Sequence, residues 1–392
     1  SGSSITPNLD KLAKQGIELR RFYTYPLCSP ARGAFLSGVM PRRFGLTHVV
    51  GKEQSGLPTD IANLPKTLQA HGYSTALIGK WHLGKRAQPR NCGFDHFYGF
   101  MGAEIDYYNH MAVKRGQVDW QRNGETVHEE GYSTDLLAKE AQQLLKENNP
   151  SRPFYIQVAF NAPHIPLAAP PDLVAKHSNE GGLYAAVVDA MDRAIGNLFA
   201  ELDAQNLREN TLVLFFSDNG ADLRHGDNSP YRQGKMTLYE GGIRTPCIVR
   251  WPGKIPTGSV LDQPISVHDL FPTLSAAAGV SITPDTKLDG TNQWPSIQSG
   301  EMREREPFLI ATSDIALIDG AWKLIETNDG VTSLYHLGDD PSESKDLSSV
   351  KTEQHDLLKN KLNALKEGLP DVTGLPKKSA RKEKGKKGKS KR

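Results

Sequence analysis

The sequence is poor in cysteine. Its three residues, Cys28, Cys92 and Cys247, exclude a disulfide scaffold, and the odd count leaves at least one thiol unpaired within the chain. It also lacks a long apolar run. The longest stretches, such as Leu212–Phe216 and Ala185–Val188, are far too short to cross a bilayer. No basic segment followed by an apolar one stands after Ser1, so no signal peptide is visible. There is no internal repeat and no motif that reads nucleic acid. What is present is 23% charged and 38% hydrophobic residues, with 36 Gly and 25 Pro among 392. That composition excludes collagen-like, coiled-coil and wholly disordered chains. The length suits one large α/β domain with a smaller companion.

The net charge of +2 hides a strong asymmetry. Ten of the 47 Lys and Arg, but one of the 45 Asp and Glu, fall in residues 377–392. A mildly acidic body therefore carries a strongly basic tail, and residues 371–392, rich in Lys, Gly and Ser, are expected to be disordered. Such a run is usually a solvated end. Its alternative role would be to hold a polyanion.

Along the chain, Thr6-Pro7 opens a short helix, a cap residue followed by proline at the first helical position. Ile17–Tyr23 reads as a strand, Ala31–Leu36 and Leu64–Ala70 as helices, and Tyr73–Ile78 as a strand. The apolar period of Tyr132–Glu147 is helical. Phe154–Phe160, Thr211–Phe216 and Cys247–Trp251 read as buried strands, and Leu183–Leu202 and Val267–Ala278 as helices. Continuous apolar strands alternating with helices predict an α/β fold with a mostly parallel sheet sandwiched by helices. Beyond about residue 303 the pattern changes. Phe308–Ala311, Trp322–Glu326 and Ser333–His336, with a helix over Glu353–Glu367, predict a small antiparallel sheet plus helix. The expected units are residues 1–303, 304–370 and the tail 371–392.

Four polar clusters fall just past the carboxyl ends of expected strands: Cys28–Arg32, Lys80–His82, Asn161–His164 and Asp218-Asn219. In a parallel sheet those ends share one edge, where ligands bind. Each cluster also has an ordinary reading. Cys28 can be a small buried residue, or a group held at a helix N-terminus that favours anions. Lys80 and His82 alone would be a solvated lysine and a structural histidine, but alternate spacing on an extended segment puts both on one side. His164, between Pro163 and Pro166, can cap a turn or serve as a rigidly held donor. Asp218-Asn219-Gly220 is good turn chemistry, and also two hard oxygen ligands for a divalent cation.

The string Cys28-Ser29-Pro30-Ala31-Arg32, followed by Leu36-Ser37-Gly38, is specific; C-x-P-x-R would occur about 0.01 times by chance in this composition. It resembles the signature of type I sulfatases, formylglycine-dependent members of the alkaline-phosphatase superfamily. Gly79-Lys80-Trp81-His82-Leu83-Gly84, Pro163-His164-Ile165-Pro166, Ser217-Asp218-Asn219-Gly220 and Lys235 ahead of Glu240-Gly241-Gly242 agree with it. So do Gly93–Gly99 and Leu334-Tyr335-His336-Leu337 with Asp340-Pro341. The resemblance runs from Thr6 to Leu347, and is closest to the arylsulfatase B and N-acetylgalactosamine-sulfatase branch, which Ile105–His110 supports.

The resemblance implies an alkaline-phosphatase-like fold and a sulfuric ester hydrolase acting on a sulfated, glycosaminoglycan-like saccharide. Cys28 would be converted by a formylglycine-generating enzyme to formylglycine, whose hydrated aldehyde attacks sulfur. Arg32 would anchor that group. Lys80 would contact it and the sulfate, and His82 would deprotonate it. His164 would bind sulfate, with His164 or Lys235 protonating the leaving oxygen. The metal, Ca²⁺ or Mg²⁺, would be held by the modified Cys28, Asp218 and Asn219. The family completes that site with two consecutive Asp at the end of a first strand upstream of the Thr-Pro-Asn-Leu segment, here Thr6–Leu9. That strand and its Asp pair are expected to be missing from this sequence, so weak metal binding and low activity are expected of the chain. His48, Asp106, His110, Arg224 and His225 are candidate sugar contacts in loops. A periplasmic or secreted location is implied, with no membrane span and no nucleic-acid partner. The competing readings are a phosphodiester or phosphonate hydrolase of the same superfamily, and a non-catalytic glycan-binding homologue.

Overall fold

The structure, a computed structural model, describes residues 4–51, 56–114, 116–179 and 181–371. The expected tail begins at the end of this range, and residues 372–392 lie outside it. The chain opens with α1 (Pro7–Lys14), β1 (Ile17–Leu19), β2 (Phe22–Tyr23), α2 (Cys28–Ser37) and α3 (Leu64–Ala70). There follow β3 (Ser74–Lys80), β4 (His96–Phe100), β5 (Gln121–Arg122), β6 (Glu125–Thr126), α4 (Ser133–Lys146) and β7 (Phe154–Ala159). Next are α5 (Pro171–Lys176), α6 (Gly182–Ala204), β8 (Val213–Phe216), α7 (Glu240–Ile243), β9 (Cys247–Arg250), β10 (Ser259–Leu261) and β11 (Ile265–Ser266). The last elements are α8 (Leu270–Ala277), α9 (Trp294–Ser299), β12 (Phe308–Ala311), β13 (Ile315–Asp319), β14 (Trp322–Glu326), β15 (Thr332–His336) and α10 (Thr352–Leu365).

Side-chain alternation along the strands shows helices on both faces, as the α/β reading requires. Leu77 of β3 packs with α2, α3 and α8, while its neighbour Ile78 packs with α4. Val213 and Phe215 of β8 join α1 and α6, while Leu214 and Phe216 face the other side. At Gly79, φ is +108°, and a Cβ would stand 2.0 Å from the Ala159 carbonyl oxygen, so only glycine allows β7 to approach β3 this closely.

The sheet is less parallel than expected, and it is divided. One sheet runs β6-β5-β4-β3-β7, with β3, β4 and β7 parallel. The other runs β10-β1-β9-β8, in which β9 is antiparallel to both β1 and β8. The cause is the loop after β8. It keeps residues 217–246 at the carboxyl edge of the sheet, so β9 starts there and must run back. The single strand expected over Ile17–Tyr23 is also broken. It turns at Arg20-Arg21, leaving β1 beside β10 and β2 beside β11.

β7 and β8 end their sheets, and all their residues line one cleft of about 2190 Å³. Both strands are half-buried throughout, where burial was expected, because each has one unpaired edge among the described residues. Both run toward the same end of this cleft, where Cys28, Lys80, His164 and Asp218 also lie.

In the C-terminal region β13, which the sequence reading left unassigned, completes a four-stranded antiparallel sheet of order β12-β13-β14-β15. Leu309, Leu317, Leu324 and Leu334 on one face pack against Leu358 and Leu362 of α10. Ile310, Ile318, Ile325 and Tyr335 on the other face join the core of the main body.

Helix α1 is capped from a distance. Thr6 makes no side-chain cap. Instead Asp192 of α6, 1% exposed, accepts hydrogen bonds from the Asn8 and Leu9 backbone N–H groups at 2.9 Å each and from Asn8 Nδ2 at 2.9 Å. These are charge-assisted bonds to free helix-start donors. Asp192→Ala should therefore cost about 2 kcal/mol in urea unfolding; a loss below about 0.5 kcal/mol would show that the cap is dispensable.

Candidate active site

Cys28 is the first residue of α2 and is 2% exposed. Its neighbour Ser29 fixes the local backbone by donating to the His82 carbonyl at 2.8 Å and accepting from Val50 N–H at 3.1 Å. One turn on, Arg32 donates from Nη2 to the Lys80 carbonyl at 2.9 Å, and its Nε lies 3.8 Å from Asp218 Oδ2. Thus α2 is tied to the end of β3 on one side and to the end of β8 on the other.

Lys80 closes β3 and is 4% exposed. His82 is equally buried, but not by strand alternation. Its φ is +55°, so the backbone has left the extended conformation and turns the ring by a route the spacing did not foretell. Both side chains line the cleft with Cys28. Burial pulls both Lys80 and His82 below their usual pKa values; Lys80's charge lowers His82 further, while Cys28 and Asp218 partly restore Lys80.

His164 donates from Nδ1 to the Ile165 carbonyl at 2.8 Å, which leaves Nε2 as an acceptor. Lys235 Nζ donates to that atom at 3.1 Å. The two therefore form one proton-bearing pair at the cleft. Tyr107 Oη donates to the His164 carbonyl at 2.9 Å and steadies the loop. Glu104 Oε2 lies 4.0 Å from His164 Nδ1, and Lys114 lies 3.5 Å from Glu104. The sequence reading missed Glu104 and Tyr107, since nothing local marks a residue that meets a loop some 60 positions away.

Asp218 and Asn219 follow β8 directly, and Cys28 Sγ donates to Asn219 Oδ1 at 3.4 Å. Gly220 lets this turn lie against α7, since a Cβ there would stand 1.8 Å from the Gly241 carbonyl oxygen. Hence Cys28, Arg32, Lys80, His82, His164, Lys235, Asp218 and Asn219 are brought to one end of one cleft. Of the sugar-contact candidates, Arg224 and His225 also line it, although Arg224 is paired with Asp222. His48 is exposed, next to the cleft-lining Val49. Asp106 and His110 are engaged elsewhere. Asp106 accepts from the backbone N–H groups of Tyr108 and Asn109, and His110 is buried, its ring 4.5 Å from that of Trp120. These two serve their loop, because a short polar segment must first satisfy its own backbone.

The electrostatics favour an anion at Cys28. Burial alone would raise its thiol, but the charge of Lys80, the neighbouring His164 and His82 rings and the charge of Lys235 outweigh it and hold the thiol well below its usual value. All three cysteines are free, and burial pushes Cys92 up to about 11 and Cys247 well above its usual value.

A Ca²⁺ ion takes six to eight oxygen ligands. Asp218 and Asn219 bring two side chains, and no group of three or more His, Cys, Asp or Glu suited to a metal exists among the described residues. These two residues alone do not fit the ion.

The unmodified thiol should be alkylated by iodoacetamide far ahead of Cys92 and Cys247 at about pH 6, and Lys80→Met should slow it roughly tenfold. Peptide mass spectrometry reads both. Equal labelling of the three cysteines would contradict the electrostatic account.

The model of the sulfatase family matches residues 1–280. Arylsulfatase J of Mus musculus is 35% identical over 316 residues, 76% of this chain and 53% of its own length. N-acetylgalactosamine-6-sulfatase of Canis lupus familiaris is 31% identical over 413 residues, 90% of this chain and 79% of its own. This chain thus spans about half the length of the former and four fifths of the latter. Among solved structures Ps i-CgsB superposes with a TM-score of 0.88 at 32% identity, covering 93% of this chain and 88% of that one. It has also been solved in complex with k-i-k-neocarrahexaose. Sequence, fold and the residues gathered around Cys28 agree, and the chain belongs to the sulfatase family.

Proposed function

We propose that this chain hydrolyses a sulfate ester of a carbohydrate at the position of Cys28. The observation that carries this reading is the convergence of Arg32, Lys80, Lys235, His82 and His164 on one residue at a helix N-terminus. Such a pocket suits a tetrahedral oxyanion. The relatives' names, arylsulfatase and N-acetylgalactosamine-6-sulfatase, favour sulfate and sugar as the two halves of the ester.

Conversion of Cys28 to formylglycine by a formylglycine-generating enzyme would supply a hydrated aldehyde as the oxygen nucleophile. The residues that depress the thiol would equally favour negative charge on that oxygen. Lys80 and Arg32 hold the sulfuryl oxygens as charge shifts onto them. The Lys235–His164 pair holds the proton that the departing sugar oxygen needs, since Lys235 Nζ hydrogen-bonds His164 Nε2 at the cleft. His82, whose pKa is lowered by burial, is neutral near pH 7 and is placed to take a proton at Cys28. Asp218 and Asn219 would supply two of the oxygen ligands that a Ca²⁺ or Mg²⁺ ion needs. A sulfated polymer does not cross a membrane, which favours a periplasmic or extracellular location. No helix among the described residues is long and apolar enough to span a bilayer.

The test is a side-by-side assay of an aryl sulfate and an aryl phosphodiester after conversion of Cys28. Sulfate turnover should exceed phosphodiester turnover and fall about 10³-fold in Cys28→Ala. Undiminished sulfatase activity in Cys28→Ala would overturn the mechanism, and a preference for the phosphodiester would favour the competing hydrolase. Tight glycan binding without turnover under every condition would point to a binding protein.

A further inference from the structure

We propose that the C-terminal subdomain is a positioning element for Lys235, acting through Arg232 and a buried Glu240–Lys323–Glu343 cluster. This rests on the reading of Lys235 as one of the cations of the oxyanion pocket at Cys28.

Lys235 sits on a strained piece of backbone. Gln233 and Met236 have φ of +60° and +78°, the left-handed region that non-glycine side chains avoid. Strain of this kind persists only where the surroundings hold it in place. Part of the hold is local. Lys235 N–H donates to the Ala221 carbonyl at 3.0 Å and Met236 N–H to the Pro26 carbonyl at 2.9 Å. The loop then closes on α7, with Gly241 N–H donating to the Arg232 carbonyl at 2.9 Å. Gly241 and Gly242 are required there, since a Cβ on either would stand 2.2 Å or less from a carbonyl oxygen of Gln233 or Thr237.

Both ends of this closed loop are gripped by the C-terminal subdomain. At one end Arg232 Nη1 donates to the Glu343 carbonyl at 2.9 Å and lies 3.4 Å from Tyr335 Oη, with its guanidinium 4.1 Å from the centre of the Tyr239 ring. At the other end Glu240 is clamped. Its backbone N–H donates to Glu343 Oε2 at 2.6 Å, and its carboxylate accepts from Lys323 Nζ at 2.9 Å. Lys323 also lies 2.8 Å from Glu343 Oε1, and all three side chains are 0% exposed. Arg244, 3.3 Å from Glu240 Oε2, brings the second positive charge that balances the two carboxylates.

Lys323 belongs to β14, and Glu343 follows the Asp340-Pro341 turn. The subdomain has no side chain among those lining the cleft. Its contribution to the site is therefore geometric. It fixes the loop ends so that Lys235 Nζ reaches His164 Nε2.

The test is a double-mutant cycle read by calorimetric binding of inorganic sulfate to the full chain. Arg232 is exposed, so Arg232→Ala keeps the fold, which thermal unfolding checks. Arg232→Ala and Lys235→Ala should each weaken sulfate binding by about fivefold or more. In the Lys235→Ala background the Arg232 change should add less than about twofold, because Arg232 acts only through Lys235. Arg232→Ala without effect, or with its full effect in both backgrounds, overturns the proposal. If Lys235→Ala itself leaves sulfate binding unchanged, the reading of Lys235 fails first, and the proposal with it.

Discussion

The structure depends on holding three cationic side chains and two histidines close together at one largely buried site. Lys80 is almost wholly buried, and Arg32, Lys235, His82 and His164 share its end of the cleft. Like charges so placed repel, and burial makes each more costly to keep charged. Asp218, 3.8 Å from Arg32, offsets part of this. The rest is relieved when an anion enters, so the cluster favours an oxyanion such as the sulfuryl group of the proposed reaction. The ties from Ser29 and Arg32 to the β3 end, and the packing of Gly220 on α7, serve to keep this arrangement from relaxing.

Much of this was legible in the sequence because the chemistry sits in short strings at element ends. Cys28–Arg32, Lys80–His82, Pro163-His164 and Asp218-Asn219 follow strands or open a helix, and a strand of an α/β sheet delivers its carboxyl end to the ligand edge. What was not legible came from contacts between distant segments. Nothing near Thr6 announces that Asp192, on another helix, would cap α1. The left-handed turn at His82 is set by pairing of Trp81 and His82 with Phe100 and Met101, not by the local pattern. Asp106 and His110 looked like surface ligands because their polarity is visible, while their partners, a turn and the face of Trp120, are not.

The division of the sheet belongs to the same class. β7 and β8 read as buried strands because their residues are apolar, yet in the fold each keeps an open edge on the cleft. Apolar character reports what a strand can bury, and only the topology reports what stands beside it. The buried cluster at Lys323 is a second case. Lysine in a short strand suggests a solvated face, but here it lies between two carboxylates. Breaking such a cluster by removing one partner typically costs about 3–5 kcal/mol, so it commits the C-terminal sheet to one seat on the main body.

The account stands most directly on where a sulfate ion binds. A crystal of the chain soaked in inorganic sulfate should show the ion beside Cys28 Sγ, its oxygens about 2.7–3.2 Å from Lys80 Nζ and Lys235 Nζ. Sulfate seen only elsewhere on the protein, with this cluster empty at saturating concentration, would contradict it.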